Sequence, residues 1–315
     1  MIKVQDIVYV AHRAPDLEAH AKFLTDFGMV EVARTADRLY MRGAGTYPFI
    51  HVTELGEPGF AGVAMLAGSA AELEEASRLP GASAIEPMEG PGGGQRVRLS
   101  APDGYRVDLV HGMTLVEPLA VREPLPVNFA YQKQRVKSFQ RPSHEPAQVV
   151  RLGHCVLKFT DGDAGARWFR ETLGMIVTDR LHVPGEQAVT LGNFLRCDRG
   201  DRPADHHTIF ALHTPGDINV HHVSFEVQDP DAVHIGHEWM KEKGHKAAWG
   251  VGRHLLGSQV FDYWRSPWGY MFEHYADGDL LTADMPAGDY PATDENLAQW
   301  GPPLAPRFFE SVVVD

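Results

Sequence analysis

The stretch GHCVLKFTDGDAGARWFRETLGM, residues 153–175, predicts a strand, then an amphipathic helix, then a Gly-Met step into a further strand. Residues 7–29, IVYVAHRAPDLEAHAKFLTDFGM, repeat this plan. Each half of the chain has a second strand–helix pair, at residues 60–81 and at residues 221–244. The repeat therefore predicts four strand–helix–strand units, two in each half.

The last strand of each half begins after a turn that contains proline and glycine. Residues 101–112, APDGYRVDLVHG, and residues 266–278, SPWGYMFEHYADG, both follow such a turn with an alternating strand pattern. A proline-rich connector at residues 114–148 separates the halves. These patterns predict an α+β fold in which mixed sheets curl and carry their helices on the outside.

We expect three parts along the chain. Residues 1–135 would form a scaffold domain without metal, and residues 136–280 a catalytic metal-binding domain, each built from two units. Residues 281–315 are rich in Pro, Asp and Gly, which is typical of an extended segment. We expect this tail to lie over or near the active site.

Composition and charge narrow the class of protein. The 315 residues are 43% hydrophobic and 23% charged, which is typical of a globular protein with a large core. The net charge of −13 argues against nucleic acid or an anionic membrane surface as a partner, and no stretch is apolar enough to cross a bilayer. Two cysteines provide no disulfide framework, so we expect a cytoplasmic protein.

Histidines are concentrated in the second half, where 13 of the 17 lie between His144 and His274. His154 and His222 belong to separate predicted strands, and Glu273 belongs to a third. Alternation along these strands places the three side chains opposite the apolar packing face. Two imidazoles and one carboxylate are the ligands of a mononuclear non-haem iron(II) site. A lone buried histidine is more often structural, but three ligands on matched faces favour a metal site.

Six motifs occur in order between residues 150 and 278: GHCVL, HHT at 206–208, VHHVSFEV, GRH ending at His254, Tyr263, and the strand of Glu273. The series resembles the catalytic domain of type I extradiol ring-cleavage dioxygenases, the catechol 2,3-dioxygenase and 2,3-dihydroxybiphenyl 1,2-dioxygenase group. This resemblance implies a vicinal-oxygen-chelate fold, with four βαβββ modules paired into two curled-sheet barrel domains. It also implies that a catechol-type aromatic diol is opened with O2 in aromatic compound catabolism, at Fe(II) or, alternatively, Mn(II).

The resemblance also implies roles for single residues. His154, His222 and Glu273 take the positions of the metal ligands. His207 takes the position of the acid–base histidine, which removes a proton from a catechol hydroxyl and later returns it. His206 is the alternative. Neighbouring residues of a strand point to opposite faces, so we expect only one of the two histidines to reach the metal.

Other residues are expected to contact the substrate. By the same resemblance, His254 and Tyr263 donate hydrogen bonds to the oxygen atoms at the metal, and such fixed donors stabilise the charge that develops during reaction. Alternation along its strand makes Val156 a lining residue. Further candidates for the pocket wall are Trp264, Trp268 and residues 297–306.

The substrate class is indicated only weakly by the sequence. No obvious pair of arginines is dedicated to an acidic substituent, although Arg253 and Arg265 leave this open. We therefore expect a neutral catechol that carries an alkyl, hydroxyl or aryl group.

The first half provides an internal comparison. Alignment of the repeats sets Val8, Gly62 and Asp108 at the positions of the three ligands of the second half. Only an acid is retained, so we expect no second metal site there. The first half would then serve as scaffold and as the contact surface of a homo-oligomer.

Three other functions use related folds. A glyoxalase-like isomerase draws its ligands from two modules and lacks the HHT, GRH and tyrosine set. A keto-acid dioxygenase has the same ligand trio without a need for His254 and Tyr263. A non-catalytic small-molecule-binding protein does not need three metal ligands on one concave face of a sheet. The full motif set favours ring cleavage over these alternatives.

Overall fold

Two large mixed sheets, one in each half of the chain, form the framework of the protein. A computed structural model describes residues 2–124 and 126–312. Positions 1, 125 and 313–315, which belong to the predicted scaffold domain and tail, lie outside the described residues. Within the described part, no helix is long and apolar enough to span a membrane.

The first sheet has eight strands. In chain order its elements are β1 (Ile7–Ala14), α1 (Leu17–Asp26), β2 (Val30–Arg34), β3 (Arg38–Arg42), β4 (His51–Leu55), β5 (Gly59–Leu66), α2 (Ala70–Ala76), β6 (Glu86–Pro87), β7 (Gln95–Ser100), a 3-10 turn (Pro102–Gly104) and β8 (Arg106–His111). The strands lie in the order β2-β3-β4-β1-β5-β8-β7-β6. β1 is therefore central, parallel to β4 and antiparallel to β5.

The second sheet has nine strands. The elements of this half are β9 (Val149–Phe159), α3 (Gly162–Leu173), β10 (Ile176–Val183), β11 (Glu186–Arg196), β12 (Ala204–Asp205), β13 (Ile209–His213), β14 (Val220–Val227), α4 (Pro230–Glu242), β15 (Lys246–Arg253), β16 (Val260–Arg265), β17 (Met271–Ala276), β18 (Leu280–Leu281), β19 (Gly288–Pro291) and α5 (Asp294–Leu297). The sheet order is β15-β16-β17-β14-β9-β13-β11-β10-β19, and β12 pairs with β18 separately.

The two sheets repeat one topology. From β10 to β15 the second sheet runs β10-β11-β13-β9-β14-β17-β16-β15, which matches the first sheet strand by strand. One helix follows each of β1, β5, β9 and β14. The four strand–helix–strand units are thus confirmed. The domain boundaries after residues 135 and 280 stay predictions.

Local chemistry explains where the helices begin and end. Asp16 and Asp161 accept hydrogen bonds from backbone N–H groups at the starts of α1 and α3. Gly174 ends α3 in a left-handed conformation, with φ of 67°, that favours glycine. Gly28 has φ of 102°, and an added Cβ would lie 1.7 Å from the carbonyl oxygen of Ala147. Both Gly-Met steps of the repeat therefore require glycine.

An aromatic cluster joins the two halves. Phe27 stacks on His274 with ring centroids 3.7 Å apart, and Nε2 of His274 donates to the Phe27 carbonyl at 2.6 Å. Phe272 packs edge-on against Phe23, with centroids 5.2 Å apart. These side chains are buried, and full burial of a phenylalanine contributes about 1.5–3 kcal/mol. The first half therefore packs directly on β17, the strand that also carries Glu273.

Three buried histidines of the first half lie at this interface. Nδ1 of His12 is 3.1 Å from Nε2 of His51, and Nδ1 of His20 is 3.0 Å from the Thr53 hydroxyl. Each histidine has one ring nitrogen with no hydrogen-bond partner among the described residues. Burial lowers the pKa of His12 to about 3 and the pKa values of His20 and His51 well below their ordinary range. All three are therefore neutral in the folded protein.

Acid should destabilise the fold through these histidines. An unfolded histidine binds a proton with a pKa near 6.5, whereas the pKa of folded His12 is about 3. Between these values the unfolded state binds more protons, so the free energy of unfolding falls as the pH decreases. The slope is up to about 1.4 kcal/mol per pH unit for each histidine. We expect His12→Gln to reduce the slope, measured by urea unfolding from about pH 6 to about pH 4.

The matched control is His234→Gln, because His234 is exposed on the surface of α4. An exposed side chain has similar solvent contact in the folded and unfolded states, so this variant should keep the wild-type slope. An equal slope in the wild type and in His12→Gln would show that His12 does not resist protonation in the folded protein.

Candidate metal centre

Three side chains from neighbouring strands of the second sheet converge on one point. His154 on β9, His222 on β14 and Glu273 on β17 are buried, and their ligand atoms all lie within 4.8 Å of one another. Nε2 of His154 is 3.1 Å, and Nε2 of His222 is 3.5 Å, from Oε2 of Glu273. The strand register explains the convergence, because Ser224 pairs with both His154 and Glu273. The structure thus brings the three predicted ligands together.

The donor set fits a divalent cation. Burial acts to raise the pKa of Glu273, but the neighbouring imidazole groups, that of His154 first, outweigh it and hold this pKa well below its usual value. The buried carboxylate is therefore negative. The Ser224 hydroxyl donates to Oε2, while Oε1 has no hydrogen-bond partner among the described residues. Two imidazole nitrogens and a carboxylate oxygen suit Fe(II) or Mn(II).

His221 orients the neighbouring ligand His222. Nε2 of His221 is 3.0 Å from the carbonyl oxygen of Phe308, and a carbonyl only accepts, so this nitrogen carries the proton. Burial lowers the pKa of His221 to about 3, so the ring is neutral and its Nδ1 is an acceptor. That Nδ1 lies 2.6 Å from Nδ1 of His222, which therefore donates. Nε2 of His222 keeps its lone pair and faces Glu273.

His206 and His207 lie in a bend between β12 and β13, not within a strand. The expectation that strand alternation separates them is therefore wrong: both side chains are buried, and their Nδ1 atoms are 3.0 Å apart. His207 lines the cavity, and its ring centroid is 4.0 Å from that of His154. His206 instead points to Asp179 on β10. Burial, then the charge of His154, lowers the pKa of His207 well below its usual value.

His254 and Tyr263 form a pair beside Glu273. Nδ1 of His254 donates to the carbonyl of Leu297 at 2.7 Å, which leaves Nε2 as an acceptor in the neutral ring. The Tyr263 hydroxyl donates to this Nε2 at 2.8 Å. Burial and the negative charge of Glu273 raise the pKa of Tyr263 well above its ordinary value. Tyr263 therefore remains a phenol that can donate a hydrogen bond.

The cavity above these groups has an apolar wall. It encloses about 660 Å³, part of it open to solvent. Its apolar lining includes Val156, as predicted, together with Leu181, Phe194, Phe210, Leu212 and Phe308. Among the described residues of the wall there is no Lys, Arg, Asp or Glu.

Two tryptophans expected in the wall are elsewhere. Trp264 is buried in the main core, where its indole N–H donates to Asp262, and Trp268 packs against His20. Of residues 297–306, Leu297 does reach the cavity. Neighbouring residues of a strand point to opposite faces, so Trp264 faces the core because Tyr263, the residue before it on β16, faces the cavity.

The two arginines left open by the sequence are engaged outside the cavity. Arg253 pairs with Asp277 at 2.9 Å. Arg265 is buried and donates to four backbone carbonyls: those of Gly269, Arg307, Glu310 and Ser311. Arg265 thereby holds the C-terminal tail, so neither arginine is available to a substrate.

Some site residues were missed by sequence reasoning. Ser224 had a signal, because it shares the polar face of β14 with His222. Asp179 and Phe308 had none, since they reach the site from strand β10 and from the tail. Contacts between segments so distant along the chain leave no local pattern.

The first sheet has a corresponding position without the ligand set. Its register aligns Asp108, Ala64 and Tyr9 across β8, β5 and β1. The second sheet aligns the equivalent strands at Glu273, Ser224 and His154. The Tyr9 hydroxyl donates to Asp108 at 2.7 Å. A tyrosine donor and the charges of Arg96 and Arg106 thus surround the buried acid of the first half.

This register corrects one sequence alignment. Tyr9, not Val8, lies opposite Ala64, as His154 lies opposite Ser224 in the second sheet. The alignment counted back from the Gly-Met steps. His154 precedes Gly174 by one residue more than Tyr9 precedes Gly28, which displaced the match by one position.

Comparison with known proteins places this site in context. Residues 151–274 match the Glyoxalase/Bleomycin resistance protein/Dioxygenase superfamily. The chain is 30% identical over 311 residues to metapyrocatechase 2 of Cupriavidus necator, covering 97% of this chain and 91% of the relative. It is 26% identical over 291 residues to an iron-dependent extradiol dioxygenase of Rhodococcus jostii, covering 88% and 90%.

Solved structures share the architecture. The Mn(II)-bound glyoxalase of Novosphingobium aromaticivorans matches with a TM-score of 0.80 at 23% identity, covering 98% of this chain and 95% of that chain. Homoprotocatechuate 2,3-dioxygenase of Brevibacterium fuscum matches with a TM-score of 0.80 at 18% identity, covering 99% and 93%. At these identities the likeness concerns the fold alone, and it confirms the vicinal-oxygen-chelate fold with its curled sheets.

Removal of the His221 imidazole should weaken metal binding. His221→Phe leaves Nδ1 of His222 without its acceptor, and loss of such an outer partner typically reduces metal affinity about 10–100-fold. Anaerobic competition titrations with a chelator measure the affinity for Fe(II) and for Mn(II). The exposed His234→Phe is the control and should bind as the wild type does. Unchanged affinity in His221→Phe would contradict the orienting role.

Proposed function

Because the chain belongs to the extradiol ring-cleavage dioxygenases within the Glyoxalase/Bleomycin resistance protein/Dioxygenase superfamily, we propose that its substrate is a neutral catechol with an apolar ring substituent. We propose His154, His222 and Glu273 as the ligands of a divalent iron. The observation that carries the proposal is the convergence of these three side chains beneath an apolar cavity that His207, His254 and Tyr263 also border.

The ligand arrangement suits this reaction. His154, His222 and Glu273 would hold a divalent iron, which would supply coordination of the diol and of dioxygen and electron transfer between them. The protein contributes three ligand side chains on adjacent strands of one sheet. The buried charge of Glu273 attracts the cation, and the donor Ser224 keeps Oε2 in place.

His207 is the proposed acid–base residue. Its Nδ1 is engaged by His206, so Nε2 is the nitrogen available to the cavity. A neutral imidazole accepts a proton from a diol hydroxyl there and returns it from the same atom as the ring opens. The low pKa of His207 favours the neutral form before substrate binds.

His254 and Tyr263 are the proposed orienting residues. The Tyr263 hydroxyl is fixed by His254, and His254 is fixed in turn by the Leu297 carbonyl. The Tyr263 O–H must rotate away from Nε2 of His254 to donate to a substrate oxygen, and the oxygen atom of Tyr263 itself stays in place when negative charge develops there. The apolar wall excludes water, which strengthens these interactions.

The cavity wall supports the proposed substrate class. Val156, Phe194 and Phe210 offer apolar contact to a ring substituent, and Phe194 stacks on Phe210 with centroids 4.0 Å apart. A carboxylate on the substrate would find no cation among the described residues of the wall. An alkyl or aryl group therefore fits this cavity better than an acidic one.

We propose Fe(II) as the metal, with Mn(II) as the alternative. The two ions accept the same nitrogen and oxygen ligands, so the donor set does not separate them. One relative of this chain is named iron-dependent and another manganese-dependent, and the glyoxalase of similar fold is Mn(II)-bound. Metal analysis of anaerobically purified protein and reconstitution with each ion test the choice.

A cytoplasmic homo-oligomer is also proposed. Cys155 and Cys197 are both buried free thiols, which suits a reducing compartment. The connector carries exposed apolar side chains at Phe129, Tyr131 and Phe139. Exposed apolar groups so close together in the chain suit a contact with a second copy.

Substitutions should separate metal binding from proton transfer. His207→Phe should keep the metal but lower kcat by about 10²–10⁴, the usual contribution of a general acid–base residue. His222→Ala should lose the metal and therefore all oxygen consumption. Metal content is measured by mass spectrometry and turnover by oxygen uptake with a catechol. Full turnover in His207→Phe would remove its acid–base role.

A panel of catechols tests the activity and the substrate class together. We expect oxygen uptake and a yellow ring-opened product with iron restored, and a higher kcat/KM for methyl- or phenyl-substituted catechols than for carboxymethyl catechol. The difference should be roughly 100-fold, because burial of an unpaired carboxylate costs several kcal/mol. Preference for the acidic catechol would exclude the proposed substrate class. No iron-dependent uptake with any catechol would exclude the activity.

A further inference from the structure

A carboxylate and a second imidazole stand behind the proposed acid–base histidine. Oδ2 of Asp179 lies 2.7 Å from Nε2 of His206, and Nδ1 of His206 lies 3.0 Å from Nδ1 of His207. All three residues are buried. The series Asp179–His206–His207 therefore ends at Nε2 of His207, which borders the cavity.

The chemistry of the groups sets the direction of these hydrogen bonds. A carboxylate only accepts, so His206 carries its proton on Nε2. The Nδ1 of a neutral His206 is then an acceptor, and the proton between the two rings belongs to Nδ1 of His207. Because a neutral imidazole has a single N–H, Nε2 of His207 presents a lone pair to the cavity.

Asp179 is itself fixed on both oxygens. Its Oδ1 accepts from the backbone N–H of Gly288 at 3.1 Å, where β19 of the tail pairs with β10. Its Oδ2 accepts from His206. The carboxylate therefore cannot rotate without losing one of the two hydrogen bonds, and its orientation is determined by the tail.

We propose that Asp179 and His206 are positioning residues that hold His207 in the tautomer with a bare Nε2. The inference rests on the acid–base role proposed for His207. With this tautomer, Nε2 accepts the proton from the diol hydroxyl in each turnover. The resulting imidazolium donates through Nδ1 to His206, whose own N–H points to the negative Asp179. The proton leaves again from Nε2 of His207. Asp179 and His206 therefore stabilise the positive charge of the imidazolium, and no proton passes along the series.

Asp179→Asn replaces one carboxylate oxygen by an amide NH2 group. This change reverses the direction of the hydrogen bonds between residue 179, His206 and His207. The N–H of Gly288 still needs an acceptor, so the amide oxygen occupies the Oδ1 position and the amide NH2 faces His206. His206 must then accept on Nε2 and donate from Nδ1. His207 accepts on Nδ1 and carries its proton on Nε2, the wrong form for a base. Asp179→Ala, in contrast, removes the acceptor without imposing the reverse direction.

The relative kcat values of Asp179→Asn and Asp179→Ala distinguish control of the His207 tautomer from a purely structural role of Asp179. We expect Asp179→Asn to lower kcat by about 10²–10⁴ with KM and metal content unchanged, and Asp179→Ala to lower kcat less. If the Asp179 carboxylate had a purely structural role, Asp179→Asn would lower kcat less than Asp179→Ala, because the amide is closer to the carboxylate in shape. An Asn variant as active as the wild type, or milder than the Ala variant, would overturn the proposal.

A matched control uses another buried aspartate that accepts from a histidine. Asp262 on β16 accepts from Nδ1 of His237 at 2.9 Å, outside the cavity wall. Asp262→Asn should keep the wild-type kcat per bound metal. A loss in this variant equal to that in Asp179→Asn would mean that any buried Asp-to-Asn change slows the enzyme, and would also overturn the proposal.

Nitrogen NMR reads the tautomer without any turnover. The full chain is labelled with ¹⁵N-histidine and loaded with Zn(II) as a diamagnetic ion, and the His207 signals are identified by their loss in His207→Phe. We expect a proton on Nδ1 of His207 in the wild type and on Nε2 in Asp179→Asn. The same tautomer in both proteins would refute the inference.

These outcomes separate the inference from the proposed function. A wild type that opens no catechol fails the proposed function, while the NMR comparison still decides the tautomer. Full activity in His207→Phe fails the acid–base role. If the wild type is active and His207→Phe is slow, a fully active Asp179→Asn fails the positioning role alone.

Discussion

A single buried carboxylate constrains the second half of this protein. The side chain of Glu273 is fully buried, and an ionised carboxylate in such a place costs several kcal/mol unless charges and donors compensate it. Ser224 and two imidazoles on the adjoining strands surround it, and the proposed divalent cation would complete the compensation. A shift of one residue between these strands would turn the ligands to the opposite face. The strand register and the metal centre therefore depend on each other.

The C-terminal tail is part of the same unit. It supplies the carbonyls of Leu297 and Phe308 to His254 and His221, and the N–H of Gly288 to Asp179. Because a carbonyl only accepts, each such contact decides which imidazole nitrogen keeps a proton. Arg265, buried beneath the tail, donates to three backbone carbonyls of the tail. The tail thus covers the cavity and also determines how the histidines below can react.

The two halves share one sheet topology but differ in the side chains at the equivalent buried position. Both sheets have the same strand order, and both place an acid on the equivalent strand. In the first half Tyr9 donates to Asp108, and the guanidinium groups of Arg96 and Arg106 lie 3.9 Å and 3.8 Å from its carboxylate. In the second half His154 occupies the position of Tyr9, and an imidazole lone pair replaces the hydroxyl donor. Packing of Phe27 on His274 lets the first half support the strand of Glu273.

The sequence by itself determined the repeated units and placed His154, His222 and Glu273 on matching faces of their strands. These follow from local rules: glycine ends the helices, and alternation assigns each strand residue to a face. Only the tertiary structure decided that His206 and His207 lie in a bend, that Tyr9 rather than Val8 matches His154, and that Asp179 and Phe308 reach the histidines. Bulges and contacts between distant segments depend on how strands pair and how the tail docks, and no periodic pattern along the chain encodes them.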